Sequence, residues 1–379
     1  MHVVVDARYI SRLQSGIGLY TQHLLRALAS IDPATRYTYL TVRDGPDPGI
    51  RQPNFSPWVT RISFENHLVG DLWQSSYLPF RLATLGADLY HGPAVFLPPL
   101  KLGYRTVVTI HDLVAFLFPE TVPTQYGIYM RWMTRLSTRS ADRIIAVSEA
   151  TREDLVRQLG VPPEKIQTIH EALGTGYEPV RDPGRLEAVR RTYRLEGPYI
   201  LFVGNLEPRK NLVRLIEAYA LLRRRVRLPH RLVLAGKNGW LYRPIFQAVE
   251  RLGLQQEVIF TGYVAQEDLP AIYSMAEAFA FPSLYEGFGL PVLEAMACGV
   301  PVVAGASGSI PEVAGDAALL VSPYQVEAIA EALHRVLIEA ELRAELRARG
   351  LARSRAFSWE RAAIQTREVY QQVHRGGRA

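Results

Sequence analysis

The chain has 379 residues, of which 48% are hydrophobic and 21% are charged, and its formal net charge is +6. This composition is typical of a soluble globular protein, and the length favours two domains of about 180 residues each. The single cysteine, Cys298, excludes an internal disulfide and a zinc site built from several cysteines. The positive charge suits an anionic partner, but no DNA-binding or RNA-binding motif accompanies it, so nucleic acid is not expected.

The amino-terminal run MHVVVDARYI does not resemble a secretory signal, because Asp6 interrupts its apolar residues. No other stretch is apolar and long enough to suggest a transmembrane helix. We therefore expect a cytoplasmic protein, with peripheral attachment to the inner face of the cell membrane as an open alternative.

Short β-branched runs alternate with longer amphipathic stretches, which is typical of parallel sheets with crossover helices. The first series predicts a helix at 20–28 and strands at 3–6, 37–42, 59–62, 89–91, 106–110, 143–147 and 166–169. The second series predicts a helix at 211–222 and strands at 199–203, 231–235, 258–261, 278–281, 301–304 and 318–321. Each series opens with a strand, a glycine-containing loop and an amphipathic helix. The pattern predicts an α/β protein made of two Rossmann-like halves.

A proline- and glycine-rich segment near residues 174–185 separates the two series and is typical of a linker. We place the first domain at 1–180 and the second at 186–356. A helical pattern at 357–374 could cross back and complete the first domain.

The segment YEGFGLPVLEAMACGVPVV, residues 285–303, carries two carboxylates eight positions apart, Glu286 and Glu294. Its glycines disfavour one continuous helix, so Glu286 is predicted in a loop and Glu294 on a short helix that starts near Pro291. A glycine-rich loop before a helix N-terminus can present backbone N–H groups to an anion. The alternative is that the glycines form an ordinary turn and that Glu294 only faces solvent.

The whole string, Glu-Gly-Phe-Gly-Leu-Pro-x-x-Glu-Ala-Met-Ala-x-Gly-x-Pro-Val, resembles the signature of the retaining "group 1" glycosyltransferases, the fourth sequence family. The resemblance implies the GT-B architecture, with two Rossmann-like domains whose parallel sheets face each other across a cleft that closes during the reaction. It also implies that Glu286 lies beside the transferred sugar and that Glu294 binds the ribose hydroxyls. The residues between them are expected to bind the donor: Gly287, Phe288, Gly289 and Leu290.

The segment VGNLEPRKNL, residues 203–212, places Arg209 and Lys210 after the first strand of the second series, in what we expect to be an exposed loop. Cations there could stabilise a diphosphate leaving group, although a solvated basic pair is the alternative. The segment resembles the family's phosphate clamp, in which an arginine follows the glycine of the strand. Asn205 stands at that position here, so Arg209 is expected to replace the arginine, and Asn205 to contact the donor.

Three further segments match the family. His111 follows a predicted strand, in VVTIHDLVAF, and is expected to face the donor sugar, although a structural histidine is the alternative. Gly16 and Gly18 resemble the glycine loop that closes on the donor phosphates. The nucleobase is expected to contact the residues of the GYV run: Gly262, Tyr263 and Val264.

No cofactor beyond the nucleotide-sugar co-substrate is expected, and no metal, because the chain has no Asp-x-Asp pair, no HExxH and no cysteine cluster. The segment LYHGPAVFLPP resembles bacterial polysaccharide mannosyltransferases and rhamnosyltransferases, and GDP-mannose is the expected donor. The acceptor is expected to be a glycan or a lipid-linked molecule. The basic and aromatic run at 126–139 could lie on an anionic membrane, or it could be an ordinary surface helix.

Two rival functions remain open at this stage. An open cleft with two carboxylates could also serve a sugar-nucleotide epimerase or hydrolase. A sugar- or nucleotide-binding protein without catalytic activity could retain the same fold.

Overall fold

The structure, a computed structural model, describes residues 1–10, 16–43, 45–62, 67–226 and 228–376, without the side chains of His67 and Leu68. It divides into two compact units. The N-terminal unit comprises Met1–Phe116, Ile128–Gly174 and Ser358–Ala379, and the C-terminal unit comprises Leu117–Gly127 and Thr175–Phe357. Each unit is built on a parallel sheet with helices, which confirms the predicted α/β class.

In the described part of the N-terminal unit, seven parallel strands are arranged in the order β3-β2-β1-β4-β5-β6-β7. The strands are β1 (His2–Asp6), β2 (Arg36–Val42), β3 (Phe55–Thr60), β4 (Leu89–Gly92), β5 (Arg105–Ile110), β6 (Arg143–Ala146) and β7 (Ile166–Thr168). The helices are α1 (Gly16–Ile31), α2 (His67–Thr84), α3 (Val114–Leu117), α4 (Thr124–Ser140), α5 (Glu149–Leu159) and, from the end of the chain, α14 (Trp359–Arg375). The last residue of α3 and the first four residues of α4 belong to the C-terminal unit.

The core of the N-terminal unit forms where α1 and α14 cover one region of the sheet. Strand β1 is buried along its whole length, as expected of a central parallel strand. Leu24 and Leu28 of α1 join the same buried cluster as Val369 and Tyr370 of α14. The last helix of the chain therefore packs on the sheet formed by the first residues.

In the C-terminal unit the described strands form a six-stranded parallel sheet in the order β10-β9-β8-β11-β12-β13. These strands are β8 (Tyr199–Val203), β9 (Arg231–Ala235), β10 (Val258–Gly262), β11 (Ala278–Phe281), β12 (Val302–Gly305) and β13 (Ala318–Val321). The helices are α6 (Pro183–Tyr193), α7 (Leu212–Arg225), α8 (Arg243–Arg251), α9 (Leu269–Ser274), α10 (Leu290–Ala297), α11 (Ile310–Ala314), α12 (Val326–Ile338) and α13 (Ala340–Ser354).

Several predicted element boundaries are wrong. Strand β3 covers Phe55–Thr60 rather than 59–62, because an edge strand accommodates Pro57. Helix α6 begins inside the predicted linker, since Asp182 accepts a hydrogen bond from the Gly184 amide at the start of the helix. Helix α7 begins after Asn211, which adopts a left-handed conformation with φ of 61°.

Among the described residues, no helix combines the length and the apolar character needed to cross a membrane.

Candidate functional site

The principal candidate site lies at the carboxyl ends of β8 and β11, two neighbouring strands at the centre of the C-terminal sheet. The chain leaves β8 towards β9 and leaves β11 towards β12, so the loops diverge at this point. Open α/β sheets bind ligands where the strand order reverses in this way.

The loops after β8 and β11 are joined by backbone and side-chain hydrogen bonds. The amide of Leu284 donates to the carbonyl of Arg209 at 2.8 Å. Asn211 Nδ2 donates to the carbonyl of Pro282 at 2.9 Å and to that of Pro323, which follows β13, at 2.6 Å. The two loops therefore hold each other in place, which fixes the charged side chains that they carry.

Those side chains form a buried charge cluster of three buried residues, Glu207, Lys210 and Glu286, and the half-buried Arg209. Lys210 Nζ lies 2.7 Å from one carboxylate oxygen of Glu286, and Arg209 Nη1 lies 2.6 Å from the other. Arg209 Nη2 also contacts Glu207 Oε1 at 2.7 Å. The structure therefore brings Arg209, Lys210 and Glu286 into one constellation.

Charge within this cluster is balanced, with two cations facing two carboxylates. Burial opposes ionisation of Glu286, but the charges of Arg209 and Lys210 outweigh it and lower the pKa of Glu286 to about 2. A diphosphate could gain charge-assisted hydrogen bonds here only if the cations shift part of their bonding away from the carboxylates. The cluster is therefore suited to bind an anion when Arg209 and Lys210 exchange contacts with the carboxylates for contacts with that anion.

The expectation that Lys210 lies on an exposed loop is wrong. It ends a short 3₁₀ turn, Pro208–Lys210, and is buried, with its ammonium group over the Phe281 ring at 4.9 Å. Sequence reasoning also missed Glu207. Its position two residues before Arg209, in a stretch that contains adjacent cations, is the signal that could have indicated an internal ion pair.

A third loop, after β12, supports the backbone of Glu286. Ser309 Oγ lies 3.0 Å from the Glu286 carbonyl and 2.7 Å from the Phe288 carbonyl, and donates to them. Gly308 has φ of +54°, and a Cβ atom there would lie 2.6 Å from the Glu286 carbonyl oxygen. Only glycine fits this close approach, so the position of Glu286 depends on a loop more than twenty residues away in sequence.

The residues that follow Glu286 lead into α10. Gly289, with φ of +100°, precedes the helix, and Gly287 and Phe288 are buried. The ring of Phe288 lies 5.7 Å from that of Phe357, so it packs inside the unit. Leu290 is half-buried at the first position of the helix.

Glu294 lies on α10, as predicted, but it has different partners from Glu286. The hydroxyl of Tyr273 donates to Glu294 Oε2 at 2.8 Å. Burial raises the pKa of Glu294, and the hydrogen bonds from Tyr273 and Tyr177 offset this only in part. The two glutamates of the motif therefore differ in environment: one is paired with cations, the other with phenols.

The remaining candidate donor residues lie on loops after β8 and β10. Asn205 is exposed. Gly262 ends β10, Tyr263 is exposed with Lys237 Nζ over its ring at 4.4 Å, and Val264 is buried. An exposed ring with a nearby cation could stack on a base, and sequence reasoning missed Lys237.

In the N-terminal unit, His111 follows β5 and is held between two acceptors. Its Nδ1 lies 2.8 Å from Glu171 Oε1, and its Nε2 lies 2.9 Å from the carbonyl oxygen of Pro93. The ring meets Tyr20 edge to face at 4.8 Å between centroids. Because a carbonyl and a carboxylate only accept, a neutral imidazole can donate to one of them, and only the protonated ring can donate to both.

The electrostatics of the site favour the charged form of His111. Burial opposes the charge, but the hydrogen bond and the negative charge of Glu171 outweigh it and raise the pKa of His111. Sequence reasoning missed Glu171, which lies sixty residues away with no spacing that would connect it to His111.

The expectation that Gly16 and Gly18 form a loop is wrong. Both lie in the first turn of α1, where Gly16 is exposed and Gly18 is buried. The hydrophobic pattern of α1 continues to its amino end, and a helix tolerates glycine there at small cost. Gly16 and Gly18 are therefore part of the helix rather than of the segment that precedes it.

Two family models match the chain, one in each half. The model for "Glycosyl transferases group 1" matches residues 188–353, and the model for "Glycosyltransferase Family 4" matches residues 14–175. The O-antigen chain mannosyltransferase B of Escherichia coli is 40% identical over 74% of this chain and 74% of its own length.

Two further comparisons extend this result. A serotype-specific mannosyltransferase of Escherichia coli is 32% identical over 71% of this chain, which spans only 34% of that larger protein. The structure of sucrose-phosphate synthase from Thermosynechococcus elongatus superposes with a TM-score of 0.78 at 23% identity and covers 100% of both chains. The structural likeness confirms the expected GT-B fold.

Proposed function

Because the chain belongs to the group 1 glycosyltransferases, we propose that it transfers a mannosyl group from GDP-mannose to a glycan or lipid-linked acceptor, with retention of anomeric configuration. The name of the Escherichia coli O-antigen relative, a mannosyltransferase, supports the choice of sugar. Its likeness also supports a polysaccharide as the product.

The observation that carries the proposal is the buried charge cluster at the carboxyl edge of the C-terminal sheet. Arg209 and Lys210 are placed to stabilise the diphosphate as negative charge accumulates on the leaving group. As they turn to the phosphates, Glu286 is released to accept hydrogen bonds from the sugar. The leaving diphosphate then takes the proton of the acceptor hydroxyl, and the new bond forms on the same face of the sugar.

Other residues bind and orient the donor in this proposal. Glu294 accepts hydrogen bonds from the ribose hydroxyls, and the GYV run contacts the base. His111, held as a cation by Glu171, donates a hydrogen bond to the sugar or the reacting centre when its Nε2 exchanges the Pro93 carbonyl for the substrate.

The proposal includes two properties of the reaction. Transfer is independent of divalent metal, because side chains supply the positive charge. Attachment to the inner face of the membrane through residues 126–139 gives access to a lipid-linked acceptor.

The test is a transfer assay on the purified protein with GDP-mannose, UDP-glucose and UDP-galactose, each with and without a mannan oligosaccharide acceptor. We expect a mannosylated product only from GDP-mannose, with an α-linkage by NMR, and unchanged activity in excess EDTA. Glu286→Gln serves as the inactive control. A β-linked product would exclude retention, and hydrolysis at the same rate with and without acceptor would exclude transfer.

A further inference from the structure

The face of α4 away from the core carries an apolar and then a cationic stretch. Ile128, Trp132, Arg135 and Arg139 are spaced by four, three and four residues, so they share one side of the helix. The side chains of Ile128 and Trp132 are 55% and 61% exposed. Large apolar side chains this exposed beside cations are typical of surfaces that meet a membrane interface.

The cationic end of this stripe opens into a depression of about 460 Å³ in the N-terminal unit. Arg135, Arg139 and Lys165 line it, together with the backbone of the turn at residues 159–162. No carboxylate is among the described residues that line this space. The depression therefore concentrates positive charge in a concave site.

The two arginines have unused hydrogen-bonding capacity. Neither guanidinium forms a hydrogen bond or ion pair with any residue that the structure describes, and Arg135 is positioned only by the Phe116 ring at 5.0 Å. Lys165 Nζ donates to the carbonyls of Thr138 and Arg139 at 2.8 and 3.0 Å, which leaves one of its three N–H groups.

The helix ends do not neutralise these cations. α4 and α5 both terminate beside the depression, and each C-terminus contributes roughly −0.5 charge. Three cations therefore leave a surplus of about +2 after both helix ends are counted. A phosphodiester carries one negative charge, which this surplus more than neutralises, and several strong acceptors for the unused donors.

We propose that the depression binds the phosphate of an anionic phospholipid headgroup, while Trp132 and Ile128 insert into the membrane interface beside it. The proposal rests on the membrane contact proposed above, and it does not depend on the identity of the sugar donor. The headgroup phosphate would bind at a defined site, formed by Arg135, Arg139 and Lys165, rather than anywhere on the basic surface.

The experiment measures partition of the full chain into vesicles of phosphatidylcholine alone and of phosphatidylcholine with phosphatidylglycerol. Arg135→Ala combined with Arg139→Ala should weaken binding to the anionic vesicles by about fivefold per arginine, because each cation near a charged surface contributes on that scale. Trp132→Ser should weaken binding to both kinds of vesicle. The matched control combines Arg191→Ala with Arg251→Ala, which removes the same charge from exposed positions of the C-terminal unit and should have little effect.

A second arm separates a lipid from a soluble phosphate. Glycerol 1-phosphate is titrated into the protein and followed through the backbone amides of Gly160 and Val161 by NMR. We expect a weak response that the paired Arg135 and Arg139 substitutions abolish. Binding of glycerol 1-phosphate as tight as binding to vesicles, and insensitive to Trp132→Ser, would identify a soluble ligand and overturn the proposal.

Failure of the headgroup site, of the membrane contact and of the transferase proposal would each give a different result. If the paired variant and its control lost equal affinity for the anionic vesicles, the attraction would be diffuse. This result would overturn the headgroup site alone. Absence of wild-type binding to every vesicle would overturn the membrane contact as well. Mannosyl transfer to a soluble acceptor should be unchanged in the paired variant, so failure of the transferase proposal would appear in a separate measurement.

Discussion

The two units place positive charge at their candidate sites in different ways. In the C-terminal unit, the buried Lys210 and the half-buried Arg209 are paired with Glu286 and Glu207, so the positive charge is balanced internally. In the N-terminal unit, the charged form of His111 is favoured mainly by one carboxylate, Glu171, and is lost by deprotonation. We therefore expect substitutions to have their largest effects at the charge cluster of the C-terminal unit. Changes of pH should have their largest effect at His111.

Removal of Lys210 is expected to have the largest effect. Lys210→Ala leaves Glu286 paired with Arg209 alone and removes one cation from the leaving group, which should cost on the order of 2–4 kcal/mol in kcat/KM. Because the ion pair is buried, unfolding free energy should also fall, by roughly 3–5 kcal/mol at most. Steady-state kinetics and urea denaturation measure the two effects.

Arg251→Ala is the control for Lys210→Ala, since it removes an exposed cation paired with Glu217 and should change neither quantity by much. Wild-type kcat/KM in the Lys210 variant would refute its role at the leaving group.

The two glutamates of the motif provide the next test. Glu286→Gln should leave affinity for GDP intact or increase it, because the cations lose a competing carboxylate, while turnover falls. Glu294→Gln should weaken GDP binding by roughly 1.5–3 kcal/mol for each lost hydrogen bond to the carboxylate. Calorimetry on both folded variants makes the comparison, and equal losses of GDP affinity would show that the glutamates do not have separate roles.

Backbone support of the charge cluster can be tested at Gly308. Gly308→Ala places a Cβ atom against the Glu286 carbonyl in addition to straining a positive φ, and should destabilise the C-terminal unit by roughly 1–3 kcal/mol. Gly253→Ala is a matched control, because Gly253 has φ of +68° but open space around its Cβ position. Gly308→Ala should have a lower melting temperature and a lower turnover than Gly253→Ala. If the two variants behaved identically, the loop after β12 would not hold Glu286.

The smallest expected effect concerns the titratable site. The pKa of His111 is raised in the folded protein, so its protonation stabilises the fold fully below about pH 6.5 and the contribution is lost as pH rises through the folded pKa. Glu171→Gln should remove this contribution, which amounts to about 1.4 kcal/mol for each tenfold increase in the proton affinity of the imidazole on folding. Denaturation across pH 5–9, with His111→Gln as the control, provides the measurement. If the unfolding free energy of the wild-type protein increased relative to that of Glu171→Gln as the pH rises above neutral, the result would contradict a cationic His111.

Much of the architecture followed from local patterns. Strands β8, β9 and β11 begin and end at the predicted residues, because central parallel strands are continuous apolar runs bounded by turn residues. The placement of Glu286 in a loop and Glu294 on a helix followed from glycine and proline alone. The boundaries that failed, at β3, α1, α6 and α7, depended on edge position, on a continuing helical face, on a side-chain cap and on the left-handed residue Asn211.

Neighbouring residues encode the family motif, the α/β pattern and the residue types that stand after each strand, so the sequence alone was enough to establish these features. The burial of Lys210, the pairing of Glu286 with both cations and the charging of His111 by Glu171 emerged only in the folded chain. Pairing, burial and pKa depend on groups brought together from distant segments. Parallel strands gather their carboxyl ends at one edge, and the spacing along the chain does not record which side chains meet there.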